Sequence, residues 1–364
     1  MILNNVDNII ADVLADNDRL LVIRADATPR IGIGHLMRCL ALAQAWKAKG
    51  SAVIFLSHCQ SGYLMNRIAS EGFYIIPIAN SYPNPDDLEF TLDFLSQCQS
   101  INPAANFWLA IDGYHFDESY QRMVRDRGFR ILVVDDYHHL PDYSYDIMLN
   151  QNIGAETLDY SCSFAKSCLL GTRYVLLRKE FLYHSGDRDT SIETARNVLV
   201  TLGGADLANA SLAILKGLKF LKLQNIKVKL VVGPANINLA ELESNLNGSP
   251  IDYEIIHSPE DMPGLMSWAD VAISAAGSTC WELAFMGIPS AVLILADNQE
   301  IIANGLEKAR AALNLGRVEA LTMEKFIACI RPLIESKGRR MELIRNQRKL
   351  VDGLGAERVI RQMV

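Results

Sequence analysis

The sequence predicts an α/β protein of two Rossmann-like domains, and three observations lead to this prediction. The chain has 364 residues, more than the roughly 250–300 at which a single hydrophobic core stops growing. Hydrophobic residues make up 50% of it and charged residues 21%, as in packed globular proteins and unlike disordered ones. Strand-length apolar runs alternate with segments of helical periodicity in both halves, which favours parallel sheets covered by helices.

The first half of the chain opens this alternation with a buried strand at 20–25. A turn at 28–30 follows it, and then a helix whose apolar positions begin at Leu36 and which Gly50 ends. We assign residues 20–184 to an N-terminal domain and residues 1–19 to a short extension. The other elements expected in this domain are strands at 52–57, 73–78, 107–112, 130–135 and 146–150 and helices at 61–71, 86–99 and 117–127.

The alternation lapses between about residues 170 and 195, where the polar stretch 185–190 marks a linker. A second series fills residues 195–364, the expected C-terminal domain. Ligands of parallel sheets bind beyond the carboxyl ends of the strands, so two facing domains would place their ligand loops on one interdomain cleft. The elements expected in the second series are strands at 197–202, 227–232, 252–256, 270–274 and 290–295, helices at 206–220, 238–246, 260–268 and 279–286, and helices alone from there to the end.

Composition limits the classes of binding partner and the cellular compartment that we expect for the protein. The formal net charge is −7 and the basic residues form no long block, so nucleic acid is not an expected partner. The 7 cysteines are odd in number and contain no Cys-x-x-Cys pair, which disfavours disulfides and zinc and favours a reducing cytoplasm. The N-terminus lacks the basic start of a signal peptide, and no apolar run is long enough for membrane insertion. We therefore expect a cytoplasmic monomer or weak homo-oligomer.

The loop after the first strand carries Gly-Ile-Gly-His-Leu-Met-Arg at residues 32–38. Gly34 allows a close approach of backbone to ligand, while Met37 stands where a dinucleotide fingerprint needs a third glycine, which disfavours NAD. His35 stands at the start of the helix, where the helix dipole favours the neutral imidazole that a general base requires. Its alternative role is structural, as a cap or a packed side chain, and the flanking glycines favour catalysis.

Four charged residues at strand ends are candidates for the surroundings of His35. Arg24 and Asp26 alternate along the first strand end and so point to the same side, where they are expected to bind substrate or to orient the histidine. Asp112 and Asp135 also end strands. The sequence leaves open which carboxylate orients His35.

Loops of the C-terminal domain are predicted to bind a nucleotide. In the segment 274–282 a strand is followed by small residues and by a helix that opens near Ser278 and Thr279, whose N–H and hydroxyl groups suit a diphosphate. Glu282, one turn into that helix, is placed to accept hydrogen bonds from ribose hydroxyls. The alternative to nucleotide binding is an ordinary capped helix at 278–282 and an ordinary tight turn at Gly203 and Gly204. The expected nucleotide-binding residues are Gly203, Gly204, Gly277, Ser278, Thr279, Glu282, Asn298 and Gln299.

Taken together, these motifs resemble those of the hydrolase family of pseudaminic acid biosynthesis. Residues 112–117 resemble the related spore-coat polysaccharide proteins as closely as they resemble these hydrolases. The resemblance implies a GT-B fold related to that of the lipid-II-forming N-acetylglucosamine transferase, with the uridine nucleotide on the C-terminal domain and the sugar facing the N-terminal one. It covers roughly residues 20 to 320 and is carried by 24–26, 32–40, 150–152, 170–181, 203–206 and 276–282.

The resemblance also implies a reaction. The family removes UDP from a UDP-2,4-diacetamido-2,4,6-trideoxyhexose by attack of water at C1 with inversion, without a metal or another cofactor. His35 matches the catalytic histidine, Glu282 the ribose-binding glutamate, and Arg178 an arginine at the end of the first domain. Two alternatives remain open: a GT-B glycosyltransferase that uses a UDP-sugar donor, and a non-catalytic protein that binds nucleotide sugars.

Overall fold

The computed structural model describes residues 3–15, 17–161, 166–184, 192–204, 206, 208–233, 236–246 and 251–364. The stretch 185–190, which we predicted to be the linker, lies outside the described residues. Contacts between Cα atoms divide the chain into two compact units. The first unit is Met1–Lys179 together with Leu354–Val364, and the second unit is Glu180–Gly353.

The first unit is built on a seven-stranded parallel sheet of order β3-β2-β1-β4-β5-β6-β7. Its strands are β1 Arg19–Ala25, β2 Ala52–Ser57, β3 Tyr74–Pro77, β4 Asn106–Asp112, β5 Arg130–Val134, β6 Ile147–Asn150 and β7 Ser167–Leu170. Its helices are α1 Leu3–Ala15, α2 Gly34–Lys47, α3 Gly62–Ser70, α4 Pro85–Ile101 and α5 Glu118–Asp126.

Both faces of this sheet are covered by apolar side chains. Along β1, Leu21 and Ile23 belong to one buried cluster, whereas Leu20 and Val22 belong to the cluster on the other face. This follows from the alternation of side chains along a strand, and a strand buried on both faces is therefore apolar throughout. The predicted N-terminal extension contains α1, whose Ile10 is buried in the same cluster as Leu20.

The second unit is built on a six-stranded parallel sheet of order β10-β9-β8-β11-β12-β13. Its strands are β8 Asn197–Thr201, β9 Lys227–Val232, β10 Asp252–His257, β11 Val271–Ala275, β12 Ser290–Ile294 and β13 Leu313–Arg317. The helices that follow α5 in the chain are α6 Lys179–Leu182, α7 Ala210–Phe220, α8 Leu239–Leu246, α9 Met262–Trp268, α10 Thr279–Met286, α11 Glu300–Lys308, α12 Met323–Glu335, α13 Lys337–Leu350 and α14 Gly355–Met363. None of the described helices is long and apolar enough to cross a membrane.

The structure differs from the predicted elements in several places. The prediction of helices alone after residue 295 is wrong, because β13 extends the second sheet, and β7 was not predicted either. The helix predicted at 206–220 begins only at Ala210. The Asp206 carboxylate accepts hydrogen bonds from the Ala210 and Ser211 N–H groups at 2.8 and 2.9 Å, as a residue ahead of a helix does. Helix α14, which we had placed in the C-terminal domain, groups with the first unit.

Each sheet has one position at which its strand order reverses. In the first unit β1 lies beside β4, and in the second unit β8 lies beside β11. At such a switch point the connections on the two sides run in opposite directions, which leaves a crevice beyond the carboxyl ends of the two central strands. The loops that follow β1, β4, β8 and β11 are therefore where ligands are expected.

Candidate active site

His35 and Asp112 form a hydrogen-bonded pair at the switch point of the first unit. His35 is the second residue of α2, directly after the β1 loop, and Asp112 is the last residue of β4. Imidazole Nδ1 lies 2.6 Å from the carboxylate Oδ1. A carboxylate can only accept, so Nδ1 carries the proton and Nε2 keeps its lone pair. Nε2 makes no hydrogen bond within the described part of the chain, and the histidine side chain is 10% exposed.

Arg38 holds the carboxylate of this pair in place. Its Nε and Nη2 donate to the two oxygens of Asp112 at 2.5 and 2.6 Å, and its Nη1 donates to Asp136 at 2.7 Å. Burial acts to raise the pKa of Asp112, but the charge of Arg38 and the hydrogen bonds that Arg38 and neutral His35 donate outweigh it and hold that pKa well below its usual range. Asp112 is therefore a carboxylate at any working pH.

Two further side chains complete the network. The hydroxyl of Tyr114 donates to Asp136, and its ring lies edge-on to His35, with centroids 4.9 Å apart and an interplanar angle of 83°. The amide of Asn152 donates to the same Asp136 at 2.7 Å. Sequence reasoning assigned no role to Arg38, Tyr114, Asp136 or Asn152. For Arg38 the sequence did contain a signal: it follows His35 by three residues, which places both side chains on one face of the helix.

Arg24 and Asp26 occupy a different network. Arg24 is completely buried and donates to Asp87 at 3.2 Å through Nε and to Asp26 at 3.0 Å through Nη2. Asp26 also accepts from the backbone N–H of His58 at 2.7 Å and lies 2.9 Å from His115 Nε2. Arg24 and Asp26 therefore belong to a buried hydrogen-bonded network, and the substrate contact that we expected of them stays a prediction. Asp112, and not Asp26, is the carboxylate that orients His35.

Gly34 and Arg178 are the remaining predicted residues of the first unit. Gly34 is exposed, and a Cβ added to it would meet no atom within 4 Å, so the α2 N-terminus is open to a ligand. Arg178 is buried at 8% exposure, directly before α6.

The glycine loop after β8 lies against the next strand end of the second unit. Gly203 is exposed and has a φ of +89°, a conformation that favours glycine. A Cβ added to Gly233, at the end of β9, would lie 2.5 Å from the Cα of Gly204. The close approach of two backbone segments, at Gly204 and Gly233, is therefore one reason for glycine in this loop.

The segment after β11 presents an open helix N-terminus. Ser278 is exposed and its side chain makes no cap hydrogen bond, so the predicted alternative of an ordinary serine-capped helix does not apply. The N–H groups of Ser278 and Thr279 find no acceptor among the described residues. A Cβ added to Gly277 would meet nothing within 4 Å. Partly exposed Glu282 lies one turn further along α10.

A neighbouring loop after β12 contains Asn298 and Gln299 in a single 3₁₀ turn. The side-chain oxygen of Gln299 accepts from the Leu295 N–H at 2.9 Å, which closes the loop on itself. The exposed side chain of Arg317 forms ion pairs with Asp297 and, at 3.2 Å, with Glu300. Asn298 is partly exposed.

Comparisons with known proteins bear on the fold and on the homologues of the chain. Residues 197–362 match the model described as the glycosyltransferase family 28 C-terminal domain. The MurG structure from Acinetobacter baumannii superposes with a TM-score of 0.66 at 15% identity, covering 95% of this chain and 99% of that one. The predicted GT-B fold class is confirmed.

Three homologues illustrate the range of the similarity. The UDP-2,4-diacetamido-2,4,6-trideoxy-beta-L-altropyranose hydrolase of Campylobacter jejuni is 26% identical over 79% of this chain and 96% of its own. The spore coat polysaccharide biosynthesis protein SpsG of Bacillus subtilis is 32% identical over 52% of this chain, and an uncharacterized protein of Methanocaldococcus jannaschii is 25% identical over 75%. The chain spans only 56% and 55% of those two proteins. The resemblance to pseudaminic acid hydrolases that the motifs predicted is confirmed as homology.

Proposed function

We propose that this chain is an enzyme acting on UDP-sugars and that it hydrolyses a UDP-2,4-diacetamido-2,4,6-trideoxyhexose at C1 with inversion. The observation that carries the proposal is the pair of His35 and Asp112 at the switch point of the first unit, with Nδ1 bound and Nε2 left as an acceptor. A general base needs this arrangement. The homologous hydrolase, which the chain covers almost completely, supplies the substrate class and the place in the synthesis of pseudaminic acid.

The first unit would perform the proton transfer. A water molecule bound to Nε2 of His35 gives up its proton to that nitrogen while its oxygen attacks the anomeric carbon. The C1–O bond to UDP breaks with its electron pair on the diphosphate, and a single displacement inverts C1. Asp112 stabilises the imidazolium that forms, and the proton then passes to solvent.

The second unit would hold the leaving group. The unused N–H groups of Ser278 and Thr279 at the start of α10 suit the diphosphate, where the positive end of the helix dipole also stabilises the charge that develops on it. Glu282 would accept the ribose hydroxyls, and the loops with Gly203 and Gly204 and with Asn298 and Gln299 would border the nucleotide. Arg178 is a further candidate for substrate contact, on the strength of the motif alone.

The test is an incubation of purified protein with the UDP-sugar and no acceptor. We expect equal amounts of UDP and free sugar, and an inverted anomer at early times in the ¹H NMR spectrum. His35→Asn is expected to bind the UDP-sugar but to turn it over at least ~100-fold more slowly, as loss of a general base does. Unchanged UDP release by this variant would disprove the role of His35.

Glycosyl transfer to another hydroxyl is the second candidate, favoured by the match to the family 28 domain. Donor binding and the base would be the same, and only the acceptor would differ. UDP release that depends on an added sugar or lipid acceptor would support transfer. Tight binding with no release under either condition would leave a non-catalytic binding protein.

A further inference from the structure

A second histidine–carboxylate pair lies beside the first, at the end of β5. His139 Nδ1 is 2.7 Å from Asp135 Oδ1, and the other oxygen of Asp135 accepts from the hydroxyls of Tyr143 and Tyr160 at 2.9 and 2.7 Å. Burial acts to raise the pKa of Asp135, but the hydrogen bonds that His139, Tyr160 and Tyr143 donate hold it well below the usual range. Asp135 is ionised, so in the neutral imidazole of His139 Nδ1 carries the proton and Nε2 is an acceptor.

The acceptor nitrogen of His139 has no hydrogen-bond partner among the described residues. The side chain is only 7% exposed, and Nε2 is buried without a hydrogen bond to the described residues. A buried polar atom left unsatisfied destabilises a protein, and native structures rarely contain one without a reason. Neither the fold nor the proposed reaction uses this atom.

The surroundings of Nε2 connect it to the active site. The ring of Tyr114 lies 5.4 Å from that of His139 and 4.9 Å from that of His35, so one tyrosine contacts both histidines. The ring of Tyr137 is also close, with its centroid 5.8 Å from that of His139. Tyr114 and Tyr137 are both only partly buried, and a change of rotamer of a partly exposed side chain is fast.

We propose that His139 is a specificity-determining residue whose Nε2 accepts a hydrogen bond from an N–H or O–H group of the sugar bound beside His35. The proposal rests on the proposed function, because it needs a sugar at that place. In this proposal the donor reaches Nε2 after a change of rotamer of Tyr114 or Tyr137, the two partly exposed rings beside His139. A sugar with acetamido groups carries amide N–H donors suited to this acceptor, and a sugar without a donor at that position leaves Nε2 unsatisfied and binds more weakly.

The test separates the two nitrogens of His139. His139→Asn places an amide near Nδ1, where it can still donate to Asp135, but leaves nothing at the position of Nε2. His139→Gln places an amide oxygen near Nε2 instead. Both are made in a His35→Asn background so that a UDP-2,4-diacetamido-2,4,6-trideoxyhexose is bound without turnover. Calorimetry then gives the Kd of this UDP-sugar and the Kd of UDP alone.

We expect His139→Asn to raise the Kd of the UDP-sugar about 10-fold or more, with the Kd of UDP unchanged. His139→Gln should restore most of the loss. Tyr143→Phe is the matched control, because it removes one hydrogen bond to Asp135 and leaves His139 intact. An unchanged Kd in His139→Asn, or an equal loss in Tyr143→Phe, overturns the proposal. A UDP-sugar that binds to the wild-type protein but is not hydrolysed contradicts the proposed function alone, since these constants do not depend on turnover.

Discussion

At the scale of single residues, Asp112 determines the state of the proposed base. Asp112→Asn keeps the volume of the side chain but removes the charge that stabilises the imidazolium and the acceptor that fixes Nδ1–H of His35. We expect kcat to fall by about 10²- to 10⁴-fold, the range known for such partners of a catalytic histidine. The Kd of UDP should not change. Steady-state UDP release and calorimetry measure the two quantities.

Cys39 offers a control at the same carboxylate. Its thiol lies 3.4 Å from Asp112 Oδ2, so Cys39→Ala disturbs the packing around Asp112 and leaves its charge in place. This variant should retain kcat within a few fold. If Asp112→Asn behaved in the same way, the pair would have no part in the reaction.

The histidine could be predicted from the sequence, whereas its partner could not. Glycines around His35 at the first strand end are visible in the sequence itself. The choice among Asp26, Asp112 and Asp135 depends on which strand lies next to β1, and strand order is a property of the folded sheet. The buried network of Arg24 could not be predicted for the same reason, because its partner Asp87 lies 63 residues away in the chain.

At the scale of elements, strands buried on both faces were predicted well, whereas two of the four edge strands, β7 and β13, were missed. Central strands such as β1 and β4 are continuous apolar runs. The edge strands β7 and β13 are short and contain polar residues or glycine, Ser167 in one and Asn314 and Gly316 in the other. These two segments are strands because their backbones pair with a neighbouring strand, and their side-chain pattern does not indicate this pairing.

The start of α10 makes a prediction about nucleotide binding. Gly277 has no left-handed φ and open space where a Cβ would go, so Gly277→Ala should leave the free energy of unfolding nearly unchanged. The added methyl group would occupy the space beside the free N–H groups of Ser278 and Thr279. We expect the Kd of UDP to rise about 10-fold, by calorimetry.

Gly287, at the other end of the same helix, is the matched control. It has a φ of +65°, so Gly287→Ala should lower the free energy of unfolding by about 1 kcal/mol without changing the Kd of UDP. If Gly277→Ala lost stability and kept its affinity, α10 would not be the diphosphate site.

The carboxyl ends of β1, β4 and β5 predict how stability depends on pH. Burial acts to raise the pKa of Asp26, Asp112 and Asp135, but hydrogen bonds and charges of their partners hold the pKa of each carboxyl well below its usual value. A depressed carboxyl pKa stabilises the fold above the pKa of the unfolded chain, and this contribution is lost as the pH falls. The first unit should therefore lose stability once the pH falls toward and below 3.8.

Urea unfolding at a series of pH values, followed by tryptophan fluorescence, measures this effect. Each group adds a slope of up to about 1.4 kcal/mol per pH unit below the unfolded pKa. Arg38→Met removes the main partner of Asp112, so it should lower stability at pH 7 and flatten the dependence. A free energy of unfolding that stays constant to pH 3 would contradict the prediction.

At the scale of the whole molecule, two sheets with one switch point each carry the two halves of the proposed reaction. The sequence predicted both sheets because each repeats the alternation of strand and helix. It did not predict the return of the chain to the first unit in α14. That return depends on contacts between residues far apart in sequence, such as the 2.8 Å hydrogen bond from Trp108 Nε1 to the carbonyl of Met363.

Removal of α14 tests how much the first unit depends on this return. Val359, Ile360 and Met363 are buried with the apolar face of β1 that contains Leu21. Each such side chain contributes about 1.5–3 kcal/mol when buried, so a chain ending at Gly353 should lose several kcal/mol from a unit whose total stability is of the order of 5–15 kcal/mol. Differential scanning calorimetry should show a lower transition for the first unit and an unchanged one for the second.

Removal of α14 should affect UDP release but not UDP binding. The truncated chain should bind UDP with the Kd of the full chain, because the proposed nucleotide residues lie in the second unit, and should lose UDP release at temperatures where the first unit unfolds. Deletion of Val364 alone, which is 55% exposed, is the control and should change neither transition. An unaltered first transition in the truncated chain would mean that α14 covers the sheet without stabilising it.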